Sequence, residues 1–249
     1  MSLIELKNVS YRFSDGSPGI EDVSLAIEEG EFIVIAGPNG SGKTTLLRHL
    51  NGLLIPQKGT VKIAGQPTKR NLLRIRQQVG MVFQDADSQI VGETVSDDVA
   101  FGPRNLGLSH DEIDHRVSRC LQAVGLVASA AKRPHLLSGG EKRRLAIAGI
   151  LAMRPKIIVL DEPFSNLDYI GVRQVLEQIL RLHGSGCTII LSTHDIEKVI
   201  VHARRLIVMQ NGCIARDGQP RQLMGELEIL GVRQPCASRL GLEVTSWLN

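Results

Sequence analysis

A chain of 249 residues that is 43% hydrophobic and 22% charged can bury a substantial core in one large or two small domains. Its net charge of +3 mixes both signs and its aromatic content is only 3%, which gives no electrostatic footprint for nucleic acid and no base-stacking platform. No apolar run reaches the length that crosses a bilayer, and "MSLIELKNV" lacks the basic start and apolar stretch of a secretory signal, so a membrane role is expected to come through a partner. The cysteines Cys120, Cys187, Cys213 and Cys236 form no CxxC pair, which fits free thiols in a reducing cytosol and argues against a metal site built from them.

In chain order, "IELKNVSYRF" and "VSLAIEEGEFIVIAG" read as strands, with Asp15-Gly16 and Glu29-Gly30 as turns. The apolar "EFIVIA" runs directly into "GPNGSGKTT", and the helical "TTLLRHLNGLL" follows. A strand, a Gly-x-x-x-x-Gly-Lys-Thr loop and a helix form the context in which backbone N–H groups cradle a triphosphate, with the helix N-terminus adding positive field. The nucleotide-binding residues are then Gly37, Pro38, Asn39, Gly40, Ser41, Gly42, Lys43, Thr44 and Thr45. Lys43 is expected to reach the β and γ phosphates, and the Thr44 hydroxyl to hold Mg²⁺.

"GTVKIAG" and "QVGMVFQ" are short strands, the second ending at Gln84. From about Glu93 to Ala131 the pattern is polar and helical, with breaks at Gly102-Pro103 and Leu106-Gly107. Ser138 followed three residues later by Glu141 has the form of a capping box, so a helix should start at Ser138 and run until Arg154-Pro155 forbids continuation. The β-branched "KIIVL" reads as a strand covered on both faces, and it leaves Asp161 and Glu162 at its carboxyl end, where open α/β sheets bind ligands. "CTIILSTH", a helix from Asp195, "RLIVMQ", "GCIARDG" and a mostly helical tail after Gln219 complete the chain. This alternation predicts a parallel-sheet α/β core interrupted by a helical insertion.

Gly37 to Thr44, Gln84, "LSGGE" at 137, "IIVLDE" at 157, "SNLD" at 165 and "STHD" at 192 together resemble the ATP-binding-cassette ATPases, in that family's order and over residues 3 to about 218. The resemblance implies an α/β P-loop fold with an antiparallel β element at the N-terminus. It divides the chain into a cassette over 1–218, with a helical subdomain at about 85–153, and a tail over 219–249. ATP and Mg²⁺ are the implied ligands. Two cassettes would sandwich two ATPs, each P-loop facing the partner's Ser138, Gly139, Gly140 and Glu141. Glu162 would polarise the attacking water, Asp161 with Thr44 and Gln84 would hold Mg²⁺, and His194 would contact the γ-phosphate. Gln84 would also sense the transport partner, Tyr11 would stack on adenine, and Asp168 would lie in a loop that crosses the dimer. Two departures stand out: Glu141 occupies a position more often glutamine, and Phe164 follows Pro163 where threonine is common. Neither removes a group the chemistry needs.

Residues 79–109, "VGMVFQDADSQIVGETVSDDVAFGPRNLGLS", and "SRLGLEV" at 238–244 resemble the ATPases of energy-coupling-factor importers, which include cobalt and nickel uptake systems. That likeness implies a peripheral ATPase on the cytoplasmic face of the membrane, paired as a homodimer or heterodimer. It would energise a transmembrane coupling protein joined to a substrate-binding membrane subunit for a metal ion or vitamin. Between Asp85 and Asp98 lie Asp85, Asp87, Glu93, Asp97 and Asp98 with no Lys or Arg, and Ile90 and Val91 stand among them, so this segment is the expected docking site. The alternatives are another cassette importer or exporter, or a cytosolic ATPase; the last would need a coiled-coil insertion or second cassette, and neither is visible.

Overall fold

The computed structural model describes residues 2–249. Its elements are Ile4–Arg12 (β1), Pro18–Ile27 (β2), Phe32–Ala36 (β3), Lys43–Leu50 (α1), Lys58–Ile63 (β4), Gln66–Pro67 (β5), Leu72–Gln78 (α2) and Val79–Val82 (β6). Then come Val95–Asn105 (α3), His110–Ala123 (α4), Gly139–Ala152 (α5), Ile157–Asp161 (β7), Tyr169–Gly184 (α6), Thr188–Thr193 (β8), Arg205–Gln210 (β9) and Cys213–Gly218 (β10). A six-stranded sheet has the order β10-β9-β3-β8-β7-β6, parallel throughout except for the antiparallel edge pair β9–β10. A separate antiparallel sheet has the order β2-β1-β4-β5.

The continuous apolar runs of β3, β7 and β8 are buried on both faces because alternate residues feed two different cores. Phe32, Val34, Ile158, Leu160, Ile189 and Leu191 face the helices α3 to α6. Ile33, Ile35, Ile157, Val159 and Ile190 face α1 and the antiparallel sheet. The P-loop therefore leaves β3 in the middle of the sheet, with β8 on one side and β9 on the other. The mixture of parallel sheet, antiparallel N-terminal sheet and helical layer is the predicted α/β architecture.

Several boundaries differ from the sequence reading. Gly102-Pro103 does not break α3, because Pro103 sits in its last turn, where the helix is ending in any case; the break falls at Leu106-Gly107, with Gly107 in the left-handed region at φ 71°. No α-helix starts at Asp195: Val199 leaves helical geometry at φ −136° and splits the segment into the 3₁₀ turns Ile196–Lys198 and Ile200–His202, which bury Ile196 and Ile200. The tail is mainly irregular, with only the four-residue helices Pro220–Leu223 and Cys236–Arg239 and a 3₁₀ turn at Met224–Glu226. Strand β6 stops at Val82, short of Gln84, because the Gln89 side chain caps its end. The Phe83 N–H donates to Gln89 Oε1 at 3.0 Å, and Gln89 Nε2 donates to the Met81 carbonyl at 3.1 Å.

Candidate active site

Helix α1 begins from a loop that only glycine can build. Gly37, Gly40 and Gly42 have φ of 151°, 78° and 98°, and a Cβ on Gly37 would collide with the Met209 carbonyl. Lys43 is the first residue of α1 and is only 7% exposed. Its Nζ donates to the carbonyls of Gly37 at 2.7 Å and Pro38 at 3.0 Å, which uses two of the three ammonium N–H bonds. Burial pulls its pKa below the usual lysine value, and the carboxylates of Glu162 and Asp161 act in the opposite sense. The Ser41 Oγ is buried in the same loop without a hydrogen-bond partner. A cradle of this kind, with an unpaired hydroxyl and a spare ammonium N–H, suits a polyphosphate.

The acids come from β7 and its exit. The Asp161↔Ser192 register across β7 and β8 brings Ser192 Oγ to 2.6 Å from Asp161 Oδ1, to which it donates. Glu162 takes a left-handed backbone, φ 48°, at a cost of roughly 1–2 kcal/mol for a residue with a Cβ. Its N–H donates to the Ser192 carbonyl at 3.1 Å and to Ser192 Oγ at 3.2 Å, which holds the turn. One carboxylate oxygen, Oε1, accepts the His194 backbone N–H at 2.9 Å and stands 3.0 Å from His194 Nδ1. A proton on Nδ1 satisfies that contact, which leaves Nε2 for another partner. The Glu162 side chain is 9% exposed and that of His194 is 59% exposed.

These groups meet in one cleft of about 410 Å³, lined by Asn39 to Thr45, Gln84, Glu162 and His194 and closed on the other side by Phe13, Pro18 and Gly19. A second hollow of about 550 Å³ shares Thr44 and Gln84 with it and reaches Asp161, so these three oxygen-bearing side chains surround one space. Tyr11 does not line the cleft. It is paired with Ile20 in the antiparallel sheet, and its ring lies edge-on to His49 at 5.2 Å and to Phe13 at 5.3 Å. Phe13, beyond the end of β1, lines the cleft where Tyr11 does not.

Ser138 caps α5 through the complete box: its Oγ accepts the Glu141 N–H at 3.3 Å, and Glu141 Oε2 accepts the Ser138 N–H at 2.8 Å. Ser138 and Gly139 are exposed, and neither lines the chain's own cleft. Asp168 caps α6, accepting the Gly171 N–H at 2.7 Å, and is also exposed. Arg143 was not foreseen, because an arginine after a capping box reads as solvent-facing. It is 5% exposed, and its guanidinium donates to the Phe83 carbonyl and, at 2.5 Å, to the Gln84 carbonyl. Burial lowers its pKa, and Asp85 and Asp161 oppose that effect. Helix α5 thereby holds the backbone of Gln84.

The acidic run is not a free face. Asp98 is 8% exposed, and its Oδ1 accepts the N–H groups of Val91 at 2.8 Å and Gly92 at 2.9 Å, so it builds the turn and is unavailable to a partner. Asp97 pairs with Thr94 Oγ1 at 2.6 Å and with Arg104 at 3.2 Å. Asp87 is paired with Lys142 at 2.6 Å, and Asp85 Oδ1 accepts the Asp87 N–H at 3.1 Å. Ile90 is half-buried against the core, whereas Val91 is exposed. The segment instead borders an apolar groove of about 280 Å³, lined by Leu73, Val91, Phe101, Ile150 and Met153, in which the first three are exposed.

A P-loop on a mixed α/β sheet, with two acids and a histidine at its carboxyl edge, defines a nucleotide-hydrolysing cassette. The ABC transporter family model matches residues 20–165, and the chain belongs to that family. It is similar to the energy-coupling factor transporter ATP-binding protein EcfA of Methanocaldococcus jannaschii, 44% identical over 92% of this chain and 84% of the relative. It is likewise similar to EcfA1 of Caldanaerobacter subterraneus, 47% identical over 97% of this chain and 87% of the relative. Among solved structures, cbiO1 of Clostridium perfringens, part of the ABC transporter complex cbiONQ, superposes with a TM-score of 0.82 at 35% identity over 92% of both chains. The cassette MJ0796, a dimer in a post-hydrolysis state bound to ADP and Pi, superposes at 0.79 and 32% identity over 87% of this chain and 98% of that one. The chain is an ABC ATPase that binds ATP.

The placement of Phe13 rather than Tyr11 at the cleft is directly testable by nucleotide titration. Phe13→Ala is expected to weaken ATP binding by about tenfold, the scale of one lost base-stacking contact. Tyr11→Leu is expected to lower the melting temperature while leaving affinity within about twofold.

Proposed function

We propose that this chain is the ATP-hydrolysing subunit of an energy-coupling-factor-type importer, a reading that its EcfA and cbiO1 relatives support. Two cassettes pair head to tail, as two copies or with a second cassette, as the dimeric neighbour suggests. They drive a transmembrane coupling protein joined to a substrate-binding membrane subunit, and a metal ion or vitamin is taken up. The chain is peripheral on the cytoplasmic face; among the described residues no helix is long and apolar enough to cross a membrane.

One observation carries the reading: Lys43, Glu162 and His194 converge on one cleft, while the N-terminus of α5 lies exposed outside it. A helix N-terminus that cannot serve its own phosphate site is free to serve a partner's. Lys43 neutralises the β and γ phosphates, and the loop N–H groups orient them. Mg²⁺ fits the oxygens of Thr44, Asp161 and Gln84, and when bound with ATP it neutralises charge on the phosphate oxygens. Asp161 has one oxygen held by Ser192 and the other left for that role. Glu162 has Oε1 occupied by His194, so its remaining oxygen takes the proton of the attacking water. His194, anchored through Nδ1, turns Nε2 toward the γ-phosphate.

The coupling protein docks in the apolar groove bordered by Leu73, Val91 and Phe101, with the exposed Asp87 and Glu93 in the hollow that adjoins it at Val91. Gln84 lies two residues beyond β6 and Arg143 ties its backbone to α5, so pressure on this groove reaches the active site.

Two experiments test these roles. Glu162→Gln is expected to keep ATP binding and lower turnover by about two orders of magnitude or more, whereas Lys43→Ala is expected to fail at binding itself, as equilibrium nucleotide titration and steady-state ATPase assays report. Phe101→Asp is expected to abolish co-purification with the membrane subunits while the isolated chain still binds ATP, because it places a charge where apolar surface must be desolvated.

A further inference from the structure

The irregular tail packs against the start of α6 and the turn after His194. The Trp247 ring lies 5.6 Å from that of Tyr169, tilted by 42°. Tyr169 is the first residue of α6 and follows Asp168 directly. The Lys198 ammonium lies 5.8 Å from the centre of the Trp247 ring. Lys198 also pairs with Asp195 at 3.0 Å, and the Asp195 N–H donates to Thr193 Oγ1 at 3.0 Å, so this link adjoins His194. Two polar contacts fix the same segment: Arg173 Nη2 donates to the Leu248 carbonyl at 3.2 Å, and His202 Nε2 stands 3.0 Å from Ser246 Oγ.

We propose that Ser246, Trp247 and Leu248 form a clasp that fixes the Asp168 loop against the turn after His194, and so sets the rate of ATP hydrolysis. The inference rests on Glu162 and His194 being the hydrolytic centre. The contacts close a ring around that pair. One arm runs from Glu162 along the chain to Asp168 and Tyr169, and the other crosses from Glu162 to His194, Asp195 and Lys198. Trp247 joins the two arms through its contacts with Tyr169 and Lys198. The two arms are held differently. Asp168 to Ile170 are exposed but anchored by the start of α6, whereas the segment after His194 contains only two single 3₁₀ turns, so the second arm is not held by a long run of its own secondary structure and is the one that needs the tie. Trp247 is a positioning residue in this account: it touches neither the cleft nor the acids, and it acts through Tyr169 and Lys198.

The test measures ATPase kcat and KM, with ATP affinity by equilibrium titration, for the full chain carrying Trp247→Ala, Trp247→Phe, Lys198→Leu or the Trp247/Lys198 double change. The clasp predicts that Trp247→Ala lowers kcat by about threefold to thirtyfold while KM and ATP affinity stay within about twofold. Trp247→Phe restores most of the rate, because a ring still meets Tyr169 and Lys198. The double variant loses no more than the worse single one. Should Trp247→Ala fail to fold, Lys198→Leu carries the same prediction by itself. An unchanged kcat in Trp247→Ala overturns the clasp, as does a loss that Trp247→Phe fails to restore and that ATP affinity shares in equal measure. If Trp247→Ala is fully active while Glu162→Gln is inactive, the clasp alone falls; an active Glu162→Gln removes the hydrolytic centre on which it rests.

Discussion

The parallel pairing of Asp161 with Ser192 is the constraint on which the catalytic face depends. A strand register is all-or-none, since a shift of one residue turns every side chain to the other face of the sheet. In the observed register a single serine serves two neighbours: its hydroxyl donates to Asp161, and its hydroxyl and carbonyl both accept the N–H of Glu162. Glu162 is thereby kept in a left-handed conformation that an unsupported turn would relax, and its carboxylate is delivered to His194. Strain of this kind persists where the surroundings over-determine it.

The register in turn depends on the two cores. Strands β3, β7 and β8 are packed on both faces, so they cannot slip without exposing apolar side chains on one side or the other. The same packing places the P-loop beside the acids: β3 pairs with β8, β8 with β7, and the loop leaves β3 at the sheet edge where Asp161 and Glu162 emerge. Lys43 at 7% exposure is then tolerable, because two carbonyls and two nearby carboxylates offset its desolvation.

What the sequence disclosed, and what it hid, follows from the range of the interactions. The capping box at Ser138 and Glu141 is decided within four residues and was legible. So were the strand that carries Asp161 and the glycine loop before α1, where pattern and context agree. The acids of residues 85–98 read as a docking site because a linear pattern cannot show that Asp98 folds back onto Val91 and Gly92. Arg143 was invisible for the same reason: its partners are carbonyls about 60 residues away, and carbonyls leave no mark in a sequence. Tyr11 and Phe13 lie two residues apart, and only the point where β1 ends decides which of them meets the cleft. The tail contacts of Trp247 join segments almost 80 residues apart and carry no local signal at all.

Removing the Ser192 hydroxyl tests the central claim most directly, because that group touches neither nucleotide nor water in the mechanism and yet supports both acids. The measurement is the single-turnover rate of ATP hydrolysis by Ser192→Ala, with ATP affinity determined on the same sample. The account predicts affinity close to that of the unaltered chain and a hydrolysis rate lowered by about tenfold to a hundredfold, the scale at which small misplacement of a catalytic group is felt. A rate equal to that of the unaltered chain would contradict it.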